Sequence, residues 1–165
     1  MNTKNKATAE LNKETERKFL VKGEFKPFAT HHFQITQGYI STMPERTVRV
    51  RIVGEQGFLT IKGKRSDDGL TRFEWEKEIS VEDATMLMEL CLPGIIEKTR
   101  YIIPFEGHIF EVDEFTSENK GLIIAEIELE SAETIFLKPS WLGKEVTDDN
   151  KYYNAMLTQN PYKNW

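Results

Sequence analysis

Through most of this chain, charged and apolar residues alternate one for one. In "TVRVRIV", Arg49 and Arg51 fall on one side and Val48, Val50 and Ile52 on the other. In "RFEWEKEI", Arg72, Glu74, Glu76 and Glu78 oppose Phe73, Trp75 and Ile79. A period of two belongs to the β-strand, whose successive side chains point to opposite faces. The same alternation runs through "ETERKFLV" from Glu14, "GFLTIKGKR", "HIFEVDEF" and "LIIAEIELE", and strands are also predicted over "HFQITQGYIST" and "EKTRYIIPF". Pro44, the Gly54/Gly57 pair and "SDDG" punctuate the series. About eight strands joined by hairpin-length loops point to an antiparallel barrel or a strongly curved sheet.

The period changes in "SVEDATMLMELCLPG". Val81, Ala84, Leu87, Met88 and Cys91 recur at helical spacing, Ser80 is placed to cap with Asp83 three residues on, and Pro93-Gly94 ends the run. The tail from Ser131 predicts a short helix, a loop, and a final helix capped near Asp148 or Asp149. Such helices cover the apolar face of a sheet from outside. The expected fold class is therefore α+β, mainly β. Residues 1–12 read as a polar, mobile tail ahead of one domain over 13–160, with no internal repeat.

Composition narrows the function classes. The chain has 165 residues, 39% hydrophobic and 30% charged, enough for one domain with a real core. A net charge of −5 argues against a general nucleic-acid binder. Cys91 is the single cysteine, so no intrachain disulfide forms, and its apolar surroundings suit a structural thiol. No stretch approaches the length of a membrane span and no secretory h-region opens the chain, so a cytoplasmic location is expected. His31, His32 and His108 fit no site, and the adjacent pair reads as surface.

The polar face of the strands carries the chemistry. Its bases are Lys18, Arg49, Arg51, Lys62, Lys64, Arg72, Lys98 and Arg100. Its acids are Glu14, Glu16, Glu74, Glu76, Glu111, Asp113, Glu126 and Glu128. Successive members of one strand stand about 6.5 Å apart. A lipid-binding barrel shows the reverse, with an apolar lumen, and a merely solvated face intersperses both signs, whereas here they are sorted by strand. If the sheet closes, the lumen is charged yet near neutral overall. A triphosphate of roughly −4 to −5 with one or two divalent cations matches it: Arg and Lys take phosphate oxygens, and hard carboxylates suit Mg²⁺ or Mn²⁺.

"ETERKFLV" carries the ExExK pattern, and the chain resembles the CYTH proteins, also called triphosphate tunnel metalloenzymes. The resemblance continues in order through "TQGYIST", "VRVRI", "LTIKGKRS", "EKTRY", "FEVDEF", "AEIELE" and "GKEVTDDNKYYNAML", from Glu14 to Leu157. It implies an eight-stranded antiparallel β tunnel with a charged interior and a metal-dependent activity on triphosphates. It also implies that Glu14, Glu16, Glu126 and Glu128 bind the metal. Lys18, Arg49, Arg51, Lys62, Lys98 and Arg100 would hold phosphates. Lys64 and Arg72 match less distinctive substrate positions, and Glu76 and Asp113 less distinctive metal positions.

Tyr39 shares a face with Gln37 and is expected to point into the tunnel. Either it positions or deprotonates the attacking water, its pKa lowered by Lys98 and other cations, or it donates a hydrogen bond from the wall. The expected reaction is hydrolysis of inorganic triphosphate to phosphate and pyrophosphate, with a small-molecule substrate and no nucleic-acid or membrane partner. Adenylate cyclisation of ATP, thiamine triphosphate hydrolysis and non-catalytic polyphosphate binding are the competing readings. Trp75 is expected outward and Trp141 and Trp165 lie in the tail, so no aromatic cage for an organic group is foreseen.

Overall fold

The computed structural model describes residues 15–65, 72–131 and 133–165. Glu14, the 1–12 segment and the side chain of Arg72 lie outside the described residues. The strands are β1 (Thr15–Val21), β2 (His31–Ser41), β3 (Arg46–Val53), β4 (Gln56–Arg65), β5 (Arg72–Ile79), β6 (Ile96–Phe105), β7 (His108–Phe115), β8 (Ile123–Leu129) and β9 (Leu142–Glu145). Two helices accompany them, α1 (Val81–Met88) and α2 (Asn154–Leu157). The fold class is the expected one, mainly β and antiparallel, with a ninth short strand added.

All nine strands form one sheet in the order β5-β4-β3-β2-β6-β7-β8-β1-β9. The sheet is strongly curled. Tyr39 on β2 lies within electrostatic reach of Lys18 on β1, although β6, β7 and β8 stand between those strands. Among the described residues β5 and β9 do not pair with each other, so the cylinder is open along one line.

Register brings the charged residues of neighbouring strands together on the concave face, because directly opposed residues in an antiparallel pair share a face. Lys18 lies opposite Glu126 and Glu126 opposite Glu111. Arg100 lies opposite Asp113, Tyr39 opposite Arg49, and Arg49 opposite Thr60. The convex face carries the alternate residues. Phe19, Ile103, Phe110, Val112, Ala125 and Ile127 pack there with Phe25, Trp141 and Leu142. Each of the large aliphatic and phenylalanine side chains among them, fully buried, contributes about 1.5–3 kcal/mol.

Helix α1 covers the convex face over β2, β3 and β4, as expected, with the Ser80 hydroxyl accepting from the Asp83 N–H. Two glycines allow the approach. A Cβ on Gly57 would stand 2.7 Å from the Cβ of Ala84, and one on Gly38 2.7 Å from Cys91 Sγ. Cys91 is thus a packing residue, and burial raises its thiol pKa.

The tail differs from the expectation in two places. The helix predicted from Ser131 is absent among the described residues. Phe136 instead docks edge-on against Phe19 and Phe110, leaving Ile135 and Leu137 exposed in an irregular segment. The final helix is a 3-10 turn opened by Asp149 and then the four-residue α2. Its Leu157 packs on Ile96, Phe115, Leu122 and Ile124, closing an apolar cluster at one end of the otherwise charged concave face.

Candidate active site

The concave face has two charged walls. The first is built by β6, β7, β8 and β1. Lys18 pairs with Glu16 and Glu126. Arg100 donates Nε to Asp113 Oδ1 and Nη2 to Asp113 Oδ2, each at 2.7 Å, and also reaches Glu111 and, at 3.1 Å, Glu126. Lys98 donates to Asp113 Oδ2 and lies 5.5 Å over the Phe115 ring. The Lys98 and Asp113 side chains are only 1% exposed.

Charge and burial compete throughout this wall. Burial alone would raise the Glu126 pKa, but Lys18 and Arg100 bring it down to about 2. Burial works against the Lys18 ammonium, and Glu126 and Glu16 overcome it, so its pKa is raised. Lys98 goes the other way. Burial, reinforced by Arg100, outweighs Asp113 and lowers it. Glu111 is raised by burial and by the neighbouring Asp113 and Glu126.

The second wall, from β3, β4 and β5, is looser. One carboxylate, Glu76, serves both Arg49 at 3.4 Å and Arg51 at 3.3 Å. The Thr60 hydroxyl donates to Glu76 Oε2 at 2.6 Å and accepts from Arg49 Nη2 at 3.2 Å. Burial works against the Glu76 carboxylate, yet the Thr60 bond and the two guanidiniums leave its pKa lowered. Lys62 pairs with Glu74 at 3.0 Å. Among the described residues the buried Nε atoms of Arg49 and Arg51 find no hydrogen-bond partner, a state that costs about 1–3 kcal/mol until an acceptor arrives.

Tyr39 points inward, 6% exposed, with Gln37 Nε2 at 3.5 Å from its hydroxyl. Its expected acidification is not what the structure shows. Burial raises the phenol pKa and outweighs the cations, and the charges bearing most on it are Arg49, Lys18 and Glu126 rather than Lys98.

The other expected residues divide. Lys18, Lys98 and Arg100 meet on the first wall and Arg49, Arg51 and Lys62 on the second, while Lys64 is exposed. Asp113 and Glu76 were candidate metal ligands. Both oxygens of Asp113 are bonded by Arg100 and Lys98, those of Glu76 by Thr60 and the two arginines, and those of Glu126 likewise by Lys18 and Arg100. Glu111, Glu126 and Glu128 line one cavity of about 520 Å³, with Glu16 opposite Glu128 in the register. Among the described residues no three such side chains are gathered as a ready-made cage. Hard carboxylates on adjacent strands nevertheless fit a cation that takes only a few protein oxygens and keeps waters or phosphate oxygens.

Sequence reasoning passed over two contributors. Thr60 stands between Arg49 and Glu76 in the register, a place that alternation within one strand does not reveal. Thr147 pins the strand bearing Lys18, accepting from the Lys18 N–H at 3.1 Å while Val146 N–H donates to the Lys18 carbonyl at 2.8 Å. Trp75 is half exposed opposite Ile61, and Trp141 lies in the convex core, so neither enters the tunnel.

The sequence model of the CYTH domain matches residues 12–159. An inorganic triphosphatase from Acetivibrio thermocellus is 46% identical over 156 residues, which span 94% of this chain and 99% of that protein. One from Nitrosomonas europaea is 38% identical over 149 residues, 87% of this chain and 95% of that protein. A solved structure of an inorganic triphosphatase is 33% identical, with a TM-score of 0.68, covering 88% of this chain and 93% of that chain.

Proposed function

Because this chain belongs to the CYTH family, we propose that its tunnel hydrolyses inorganic triphosphate to phosphate and pyrophosphate. The relatives described above bear the same activity in their names. The observation that carries the reading is the asymmetry of the two walls. Arg49 and Arg51 share one carboxylate and hold two buried donors unpaired, while the facing wall is rich in carboxylates. A chain of phosphates satisfies the second wall, and a cation between phosphate and carboxylate satisfies the first.

Phosphoryl transfer asks mainly for positioning and for stabilisation of charge. Arg49, Arg51 and Lys62 bind the phosphate oxygens from one side, and Lys18, Lys98 and Arg100 from the other. Asp113 holds Lys98 and Arg100 in place through both its oxygens. Water attacks the terminal phosphorus, a P–O bond forms, the bridging P–O bond breaks, and pyrophosphate leaves. Tyr39 acts as a protonated phenol, donating a hydrogen bond that orients water or a phosphate oxygen. Its raised pKa supports that role over general-base chemistry. Glu16, Glu126 and Glu128, with Glu14, would hold Mg²⁺ or Mn²⁺, which supplies charge neutralisation on the triphosphate when bound.

The test compares tripolyphosphate, ATP and thiamine triphosphate as substrates with and without Mg²⁺, alongside Glu128→Gln. Tripolyphosphate should be turned over fastest, only with the metal, and about 100-fold more slowly by Glu128→Gln at an unchanged melting temperature. Cyclic AMP from ATP as the main product would replace this reading with the cyclase.

A further inference from the structure

Thr60 is fully buried on the concave face of β4, directly opposite Arg49 on β3 and Glu76 on β5. A hydroxyl has one proton to donate and lone pairs to accept with. Here the proton goes to Glu76 Oε2 at 2.6 Å, and a lone pair takes Arg49 Nη2 at 3.2 Å. The bonds from Arg49 and Arg51 to the same carboxylate are longer, 3.3–3.4 Å. The shortest contact that Glu76 makes in this group is therefore to a neutral residue.

That ordering has a consequence for the two arginines. A carboxylate left to itself closes on a guanidinium in a tight two-pronged pair, as Asp113 does on Arg100 at 2.7 Å. A Glu76 closed that way would serve one arginine and withdraw its best donors from the tunnel. Glu76 is instead drawn to Thr60 and stands between Arg49 and Arg51, weakly bonded to each.

We propose that Thr60 is a positioning residue for the phosphate-binding arginines: its hydroxyl anchors Glu76 so that one carboxylate neutralises Arg49 and Arg51 without engaging either tightly. Both guanidiniums stay charged, oriented and open to a phosphate. Thr60 itself touches no substrate. The proposal rests on Arg49 and Arg51 binding phosphate.

The experiment is steady-state kinetics on tripolyphosphate with Thr60→Val, Thr60→Ala and Thr60→Ser, with melting temperatures recorded. Thr60→Val keeps the shape and removes the hydroxyl, and Thr60→Ser keeps the hydroxyl. KM should rise about tenfold in Thr60→Val and Thr60→Ala, with kcat changed less than about twofold, and Thr60→Ser should restore KM. In a Glu76→Gln background, Thr60→Val should add nothing, because the group it anchors has lost its charge. A wild-type KM in both Thr60→Val and Thr60→Ala overturns the proposal, as does Thr60→Ser as impaired as Thr60→Val. If Arg49→Ala and Arg51→Ala leave KM unchanged, the underlying phosphate assignment is what fails.

Discussion

The two walls of the tunnel use similar residues and solve different problems. On the β6–β7–β8–β1 wall, Lys18, Lys98 and Arg100 are buried and each is bonded tightly to carboxylates. On the β3–β4–β5 wall, Arg49 and Arg51 share Glu76 at the outer limit of hydrogen bonding and keep buried Nε atoms unpaired. The first wall is already neutralised by its own carboxylates before a ligand arrives. The second keeps donors that no acceptor among the described residues takes up. Identical side-chain chemistry is thus tightly paired on one side and loosely paired on the other, and partner distance separates the two walls.

The comparison can be broken most forcefully at Asp113. Asp113→Ala leaves Lys98 and Arg100 without their shared counter-ion in a buried site, and removing one member of a buried pair costs about 3–5 kcal/mol. Melting temperature and activity should both collapse. A variant that melts like the parent would show that this wall is not a structural unit.

Acid titration sharpens the same side. Glu126 has a pKa near 4.5 when unpaired and about 2 in the fold. A depressed carboxylate contributes stability that is full above the unfolded value and is lost as pH falls through the folded one. The shift corresponds to roughly 3 kcal/mol. Melting followed from pH 5 to pH 2 should show this loss, and Glu126→Gln should flatten the slope in that window. An unaltered slope would remove Glu126 from the acid response.

The smallest effects belong to the second wall. Arg49→Ala and Arg51→Ala should each raise KM about tenfold while shifting stability by less than about 1 kcal/mol. A large loss of stability in either variant would make the two walls alike.

Strand identity was legible because alternation survives in the sequence whatever the strands pair with. Arg49 and Arg51 had to share a face, as did Glu126 and Glu128. The strand β9 was not legible, since "LGKE" is four residues long and is held as an edge by the Arg17–Glu145 bond and by Thr147. The missing helix after Ser131 yields to the docking of Phe136, a tertiary demand that no local pattern carries. Within the site, membership could be read and partnership could not. Which carboxylate holds which cation depends on cross-strand register, so the pairing of Asp113 with Lys98 and Arg100, and of Glu76 with Arg49 and Arg51, could not be read from alternation alone. Tyr39 was placed correctly by its face, but its acidity was misjudged because depth of burial has no one-dimensional signature.

The unpaired seam between β5 and β9 has a mechanical consequence. A tube whose hydrogen bonds run all the way round can widen only by breaking some of them, whereas a tube slit along its length opens by bending. In this sheet the second wall lies at the β5 margin, joined to the first through β2. Bending of the sheet near β2, where the β2–β3 register shifts between Tyr39 and Ser41, changes the bore without rupturing a ladder. Such bending would move Arg49 and Arg51 relative to the Lys98 and Arg100 wall while every ladder stays intact.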